Sequence, residues 1–173
     1  MQIDLVADAV RSVAPSCGPV RVVAIDGGAA AGKSTLAASL AARLDDAAVV
    51  HLDDLLDGWS GQFSYVSRLH AQVLQPLAAS RPGRYQRYDW VLGAFADWVE
   101  LPVPNTLIVE GVSSIWGCAS HLGLGIFLDR PRAERLARWV ARDGAIEAEW
   151  LRWLDAEDTF FASHPLPADT LYA

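Results

Sequence analysis

The sequence predicts an α/β fold, a three-layer α/β/α sandwich around a mainly parallel sheet of about five strands. Strand-like runs alternate with helix-like segments along the chain, which is typical of parallel sheets. The strand-like runs are almost continuously apolar and rich in β-branched residues, as in strands buried on both faces. A glycine-rich loop joins the first strand to a helix, at the sheet edge where such folds bind ligands. The expected strands are 20–26, 47–52, 106–110, 124–128 and 168–172.

Helices are predicted where apolar residues recur at helical spacing or where strong helix formers accumulate. The expected helices are 3–13, 34–44, 64–79, 131–142 and 146–162. Pro131 suits the first position of its helix. Residues 81–90 are polar and rich in aromatic side chains, so we expect a loop there. No repeat or composition shift divides the chain, which predicts one domain, 1–173, with an N-terminal helix and connector (1–19) and a core (20–173).

Composition argues against several classes of protein. Hydrophobic residues make up 52% and charged residues 20% of the chain, which indicates a folded protein rather than a disordered one. No apolar run reaches the ~18–20 residues of a membrane span, and the first residues lack the basic start of a signal peptide. We therefore expect a soluble, cytoplasmic protein without a membrane partner. A formal net charge of −7 argues against a nucleic-acid partner, and nothing in the sequence indicates an oligomeric state.

Cysteine and histidine contents argue against a zinc site. The two cysteines, Cys17 and Cys118, are far apart and form neither a disulfide framework nor a metal-binding pair. The four histidines lack ligand spacing, so we expect each to be a structural or surface residue. They are His51, His70, His121 and His164.

The most specific signal is Gly27-x-x-x-x-Gly32-Lys33-Ser34, which matches the Walker A pattern between a strand and a helix. Glycines let the backbone N–H groups face one phosphate, and the helix directs its positive end at the anion. Lys33, the only lysine among 14 basic residues, is expected to contact the β- and γ-phosphates. Ser34 is expected to offer its hydroxyl to Mg²⁺. The predicted ATP phosphate site is Gly27, Gly28, Ala29, Ala30, Ala31, Gly32, Lys33, Ser34 and Thr35.

Two further predicted strands end in carboxylates. Asp53 and Asp54 follow the second strand, and Glu110 ends an apolar run of Walker B form. A carboxylate at such a position accepts the proton of an acceptor hydroxyl or holds Mg²⁺ through water. We predict that Asp53 is the catalytic base, with Asp54 as the first alternative and Asp57 as the second. We also predict that Ser34, Asp53 and Glu110 form the metal site. An ordinary acidic turn is the competing interpretation of Asp53.

Six short motifs are spread over most of the chain and suggest a family. They are Ile25-Asp26-Gly27-Gly28, Leu52-Asp53-Asp54, Tyr88-Asp89-Trp90, Val109-Glu110-Gly111-Val112, Phe127-Leu128-Asp129 and the arginine-rich run from Arg135 to Asp143. In these motifs the chain resembles the uridine kinase / phosphoribulokinase branch of P-loop kinases, which includes nicotinamide riboside kinase. The resemblance implies that Asp53 is the catalytic base and that Tyr88 and Asp89 line the acceptor site. It also implies that Arg138 and Arg142 close over the phosphates as a helical lid.

The residues themselves leave alternatives open. Arg138 and Arg142 are four residues apart and share one helix face, so their two positive charges can bind a phosphate together. The alternative is a solvated helix in which Glu134 and Arg138 form an ion pair. An aromatic pair around Asp89, namely Tyr88 and Trp90, suits a ring-bearing, hydroxylated acceptor, and aromatic core packing is the alternative.

Two departures from the resemblance leave the acceptor open. Nucleoside kinases follow the Tyr-Asp-aromatic triplet with a polar stretch containing His and Arg, whereas this chain continues with the apolar Val91-Leu92-Gly93-Ala94. Trp139 stands where the family commonly has another arginine. The acceptor candidates therefore include nucleosides such as uridine or cytidine, phosphorylated sugars, vitamins and small antibiotics. A preference for ATP over GTP follows only from the resemblance.

The sequence therefore predicts a small-molecule kinase that uses ATP and Mg²⁺. Its expected catalytic residues are Lys33, Asp53, Arg138 and Arg142, and its expected substrate-binding residues are Asp53, Tyr88, Asp89 and Trp90. The alternatives are a regulatory nucleotide-binding ATPase without a small-molecule acceptor and a relative that has lost transfer. A GTPase-type switch is disfavoured, because its base-reading motif needs a second lysine and the chain has one.

Overall fold

The computed structural model describes residues 2–145 and 148–173, whose strands form a five-stranded sheet and a separate two-stranded hairpin. The strands are β1 (Arg21–Asp26), β2 (Ala47–His51), β3 (Gly83–Asp89), β4 (Ala94–Leu101), β5 (Thr106–Glu110), β6 (Leu124–Phe127) and β7 (Leu171–Tyr172). The helices are α1 (Ile3–Ser12), α2 (Lys33–Ala41), α3 (Val66–Arg68), α4 (Gln75–Ala78), α5 (Ser114–Gly117), α6 (Arg132–Asp143) and α7 (Ala148–Ser163). Two 3₁₀ turns, Leu52–Leu55 and Trp59–Gly61, follow β2, and a π-helical segment, Leu69–Leu74, joins α3 to α4.

The strand order brings the carboxyl ends of three strands together. The order is β2-β5-β1-β6-β7, and every neighbouring pair is parallel. Ile25 of β1 and His51 of β2 both lie opposite Glu110 of β5. The loops after β1, β2 and β5 therefore emerge side by side at one edge of the sheet, where α/β folds of this kind bind ligands.

Two apolar cores cover the two faces of the sheet, and β1 contributes to both because its side chains alternate. Val22 and Ala24 pack in one core, with the α3–α4 segment, α5 and Trp153 of α7. Val23 and Ile25 pack in the other core, with α1 and α2. This arrangement confirms the predicted three-layer α/β/α architecture.

Most predicted elements are confirmed. Four predicted strands correspond to β1, β2, β5 and β6, whereas the last is shorter than predicted and pairs with β6 only over Leu171–Tyr172. The predicted helices correspond to α1, α2, the α3–α4 segment, α6 and α7. Pro131 lies just before α6 instead of beginning it, and positions 146–147 of the last predicted helix fall outside the described residues. No helix in the described ranges is long and apolar enough to cross a membrane.

The loop predicted over 81–90 is wrong, because this segment contains β3, which pairs with β4 in an antiparallel hairpin. The register shifts between Gln86 and Tyr88. Tyr85 and Tyr88 are therefore both buried although they are three residues apart, while Arg84 is exposed. This bulge interrupts the simple alternation that identifies a strand with one solvated face, so the sequence pattern resembles a loop.

Candidate active site

The loop after β1 owes its path to two glycines in the left-handed region of backbone conformation. Gly27 has a φ of 132° and Gly32 a φ of 110°, values that side-chain-bearing residues rarely adopt. A Cβ on Gly27 would lie 2.6 Å from the carbonyl oxygen of Leu128, so the loop backbone packs directly against the segment after β6. The glycines at the two ends of the Walker A pattern are therefore required by geometry.

Asp26, the last residue of β1, anchors the base of this loop. Its buried carboxylate accepts hydrogen bonds from the N–H groups of Gly27 (2.7 Å), Ser113 (2.8 Å) and Ile115 (3.1 Å). Burial raises the pKa of Asp26 to about 7, against the opposing effect of these donors. The carboxylate ties the phosphate loop to the loop after β5, a role that sequence analysis did not assign.

Lys33 lies across the mouth of the phosphate loop. Its side chain is only 8% exposed, and its Nζ donates to the carbonyl oxygen of Gly28 at 3.0 Å. The helix α2 begins at this residue, and no side chain among the described residues caps its N-terminus at Gly32. Uncapped N–H groups at a helix start, beside a buried ammonium, form a site that fits a phosphate.

Glu110 at the end of β5 forms a short chain of hydrogen bonds with Ser34 and His51. One oxygen of its carboxylate accepts from Ser34 Oγ at 2.9 Å and from His51 Nδ1 at 2.5 Å. Burial acts to raise the pKa of Glu110, but the hydrogen bond from His51 and the charge of Lys33 outweigh it and lower that pKa. The same hydrogen bond raises the pKa of His51. An ionised carboxylate beside a hydroxyl supplies the oxygen ligands that Mg²⁺ prefers.

The structure distinguishes Asp53 from Asp54. Asp53 lines the same cavity as Lys33 and Glu110, whereas Asp54 is not among the described lining residues. The side chain of Asp53 is exposed to solvent, but the walls of the cavity limit its hydration, and this desolvation raises its pKa. The positive charge of Lys33 opposes the increase, and the negative charge of Glu110 adds to it. Desolvation also raises the pKa of Asp54, against the charges of His51 and Arg87. The position of Asp53 in the cavity makes it the better candidate for the base.

A cavity of about 720 Å³ joins these groups and has a largely aromatic wall. Five of the seven tryptophans line it: Trp59, Trp90, Trp139, Trp150 and Trp153. Trp59 packs edge to face with Trp90 (centroid distance 5.3 Å) and with Trp153 (5.7 Å). Trp139 and Trp150 form a separate stacked pair at 4.3 Å. We call Trp59, Trp90 and Trp153 the indole wall.

The predicted acceptor triplet divides into three roles. Trp90 lines the cavity, and Tyr88 packs behind it at a centroid distance of 5.2 Å. Asp89 accepts hydrogen bonds from the N–H groups of Val91 (2.8 Å) and Leu92 (2.9 Å). Its carboxylate therefore closes the hairpin turn, and only Trp90 of the triplet is in the described cavity lining.

The helix α6 carries both predicted lid arginines, and the structure places them differently from their neighbour Arg135. Arg138 and Arg142 line the cavity, and the guanidinium of Arg142 lies 5.0 Å from the ring centroid of Trp139. Glu134 pairs with Arg130 at 2.9 Å, rather than with Arg138 as in the alternative interpretation of this helix. Arg135 is buried and pairs with acids of α7, so it does not line the cavity.

Glu157 of α7 is the polar residue of this site that sequence analysis missed. Its buried carboxylate accepts from the N–H of Ala29 in the phosphate loop and from the indole N–H of Trp153. It lies in a helix with several acids and belongs to no motif. The sequence offers one indication of its position: Glu157 is four residues from Trp153, so both side chains lie on one face of the helix.

Comparison with solved structures identifies the fold. One match is a possible uridine kinase from Bacillus stearothermophilus, with 20% identity and a TM-score of 0.67 over 99% of this chain and 97% of that chain. The chain has the fold of P-loop kinases. A second match to this P-loop kinase fold is a candidate fructose transport system kinase from Silicibacter sp. TM1040, with 23% identity and a TM-score of 0.75 over all of both chains. No model of a known protein family and no curated protein matches the chain.

Proposed function

We propose that this protein is an ATP-dependent phosphotransferase that moves the γ-phosphate of ATP to a hydroxyl group of a small molecule. The observation that carries the proposal is the convergence of Lys33, the Ser34–Glu110 pair and Asp53 on one cavity that also contains the indole wall. A regulatory ATPase requires the phosphate loop and a metal site, but it does not require an aromatic surface for binding an acceptor. The fold is that of P-loop kinases, which is consistent with this proposal.

The residues present fit both ATP and Mg²⁺. Lys33 and the start of α2 provide positive charge and N–H donors for phosphate oxygens, and Arg138 and Arg142 approach the same cavity from α6. Ser34 and the ionised Glu110 would hold Mg²⁺ directly or through water. When bound, the metal would neutralise charge on the phosphates and orient them for transfer.

Asp53 acts on the acceptor in the proposed mechanism. Its carboxylate accepts the proton of the acceptor hydroxyl as that oxygen bonds to the γ-phosphorus, and ADP leaves with the electrons of the broken P–O bond. The raised pKa of Asp53 makes it a stronger base than an ordinary aspartate. Lys33, Arg138 and Arg142 stabilise the negative charge on the transferring phosphate, so catalysis depends mainly on positioning and electrostatics.

Charge and shape favour a ring-bearing acceptor that carries no phosphate. The cationic side chains in the described cavity lining are Lys33, Arg138 and Arg142, which belong to the phosphate loop and the lid. The indole wall offers apolar ring faces, and Asp53 would repel an anion. A nucleoside such as uridine or cytidine satisfies these requirements, whereas a sugar phosphate would bring uncompensated charge to this half of the cavity.

A transfer assay tests the proposal. The protein is incubated with ATP, Mg²⁺ and a panel of nucleosides, sugars, sugar phosphates, vitamins and aminoglycosides, and both ADP and phosphorylated acceptor are measured. We expect one acceptor class to yield equal amounts of ADP and product, and a deoxy analogue without the reacting hydroxyl to yield neither. Steady ADP formation that is indifferent to every hydroxyl compound would instead support the regulatory ATPase.

Removing one ring of the indole wall should weaken acceptor binding selectively. Trp59→Ala and Trp90→Ala should each raise KM for the acceptor roughly 5- to 150-fold, since stacking of a flat ring on an aromatic side chain contributes about 1–3 kcal/mol. KM for ATP should stay nearly constant. Steady-state kinetics with each substrate varied in turn measure the two effects.

Trp98→Ala is the matched control for these variants. Trp98 is also a half-exposed tryptophan of the hairpin, but its ring lies under the guanidinium of Arg84 at 4.4 Å, outside the described cavity lining. If Trp98→Ala raised KM for the acceptor as much as Trp90→Ala, the effect would belong to the hairpin as a whole. The indole wall would then not be the acceptor site.

A further inference from the structure

Glu157 receives hydrogen bonds from three different parts of the site. Its two oxygens lie 3.0 and 3.1 Å from the backbone nitrogen of Ala29 in the phosphate loop. Arg135 of α6 donates to it at 3.0 Å, and the indole N–H of Trp153 donates at 2.7 Å. The carboxylate is fully buried, and a buried charge is stabilised only by such partners. The four groups are therefore held in one arrangement.

This cluster binds both backbone polar groups of Ala29: Glu157 accepts from its N–H, and Arg135 contacts its carbonyl group. Arg135 also donates to the carbonyl oxygen of Ala29 at 3.4 Å. A Cβ on Gly28 would lie 2.2 Å from the guanidinium of Arg135, so the arginine packs directly against the loop. Asp158 accepts from the second guanidinium nitrogen at 3.3 Å, which keeps Arg135 directed toward α7.

Trp153 extends the cluster into the indole wall. Its ring lies edge to face with Trp59 at 5.7 Å, and Trp59 contacts Trp90 at 5.3 Å in the same way. All three rings line the cavity. The chain of contacts Ala29–Glu157–Trp153 thus connects the backbone that receives phosphates with the rings available to the acceptor.

We propose that Glu157 is a positioning residue that couples the phosphate loop to the indole wall, so that nucleotide and acceptor bind with positive cooperativity. The inference rests on the proposed function, because it requires two ligands in one cavity. A nucleotide that orders Ala29 also orders Glu157 and Trp153, and the acceptor then meets a wall that is already in place. Coupling between two sites is reciprocal and typically changes affinity about 5- to 150-fold.

Binding titrations measure this coupling as the ratio of the acceptor's Kd without and with a non-hydrolysable ATP analogue and Mg²⁺. In the wild type, we expect a ratio of at least about five. Trp153→Phe keeps an aromatic ring but removes the N–H donor to Glu157, so it should bring the ratio close to one. Glu157→Gln should lose the coupling and also weaken the analogue, because the amide keeps only one acceptor oxygen and its NH₂ group must face donors whose hydrogen bonds the two carboxylate oxygens now accept. If Glu157→Gln does not fold, Trp153→Phe alone decides the result.

A second measurement needs only the ATP analogue and Mg²⁺. The indole N–H resonance of Trp153, assigned by its absence from Trp153→Phe, should shift when the analogue binds the wild type and should not shift in Glu157→Gln. Asp155→Asn is the matched control, an acid-to-amide change on the same helix at an exposed residue that pairs with Arg132 of α6 at 2.7 Å. It should behave as the wild type in both measurements.

The possible outcomes distinguish failure of the Glu157 coupling from failure of the proposed function. Wild-type coupling retained in both Trp153→Phe and Glu157→Gln would overturn the inference, and so would an equal loss in Asp155→Asn, which would indicate helix packing alone. A wild type that transfers phosphate but has a coupling ratio of one would overturn the inference and leave the proposed function intact. If no acceptor is phosphorylated, the proposed function fails, and an unshifted Trp153 resonance then overturns the Glu157 link as well.

Discussion

Replacing Lys33 with alanine should lower kcat/KM for phosphoryl transfer by about 10²- to 10³-fold, the effect of removing one preorganised donor from a site of this kind. Its ammonium lies at the mouth of the phosphate loop, 3.0 Å from the carbonyl oxygen of Gly28. Desolvation raises the pKa of Asp26, Asp53 and Glu157, and the charge of Lys33 opposes this shift; the same charge helps to lower the pKa of Glu110. Transfer assays across pH should therefore show a lower rate and an acid limb displaced to higher pH, because Asp53 loses the charge that favours its ionised form.

Two further variants make the Lys33 experiment specific. Arg152→Ala removes an exposed cation of α7 that lies 3.8 Å from Glu149, and it should leave kcat/KM within about twofold of the wild type. Lys33→Arg should not restore activity, since a planar guanidinium cannot replace a compact ammonium in this buried position. Normal transfer by Lys33→Ala, with an unchanged melting temperature, would show that this loop does not bind the transferring phosphate.

Replacing Asp53 with asparagine should lower kcat by about 10²- to 10⁴-fold, the range for loss of a general base. Asparagine keeps the size of the side chain but cannot accept the hydroxyl proton. Asp54→Asn is the matched comparison, because Asp54 is the adjacent acid and lies outside the described cavity lining. We expect Asp54→Asn to change kcat by less than about threefold. The opposite ranking of the two variants would assign the base to Asp54.

The pH profile gives an independent check on Asp53. Desolvation in the cleft raises its pKa, and only the ionised carboxylate can act as a base. Transfer by the wild type should therefore decline as the pH falls through a value above the usual range of aspartate. The residual activity of Asp53→Asn should lack this decline, whereas a decline that persists in the variant would come from another group, such as Glu110.

The phosphate half of the site could be predicted because its information is local. The glycines, Lys33 and Ser34 lie within one short motif, and backbone geometry alone determines where their groups lie. Glu110 and Asp53 could be assigned to the same place because parallel strands end at one edge of the sheet. The register, with Glu110 opposite both Ile25 and His51, agrees with this expectation.

Of the aromatic half of the cavity only Trp90 was predicted, because distant segments assemble the rest. The indole wall combines one residue after β2, one from the hairpin and one from α7, and no sequence spacing relates them. The hairpin itself was missed because a bulge places Tyr85 and Tyr88 on the same face. Arg135 resembles the two lid arginines in sequence, yet its pairing with Glu157 directs it away from the cavity. The difference between Arg135 and the two lid arginines depends on how α6 packs against α7, which the local sequence does not specify.

The hairpin β3–β4 lies outside the central sheet and contributes a single ring, Trp90, to the described cavity lining. Its turn is open to solvent, with Val91 95% exposed and Leu92 70% exposed. Mutations in this turn can therefore accumulate without disturbing the strands that carry the phosphate loop and Glu110, whereas Tyr85 and Leu101 of the same hairpin pack in one core with β1. Under the proposed function, such mutations would change which alcohol is accepted and leave the phosphate site unchanged, so we expect substrate preference to diverge faster than mechanism.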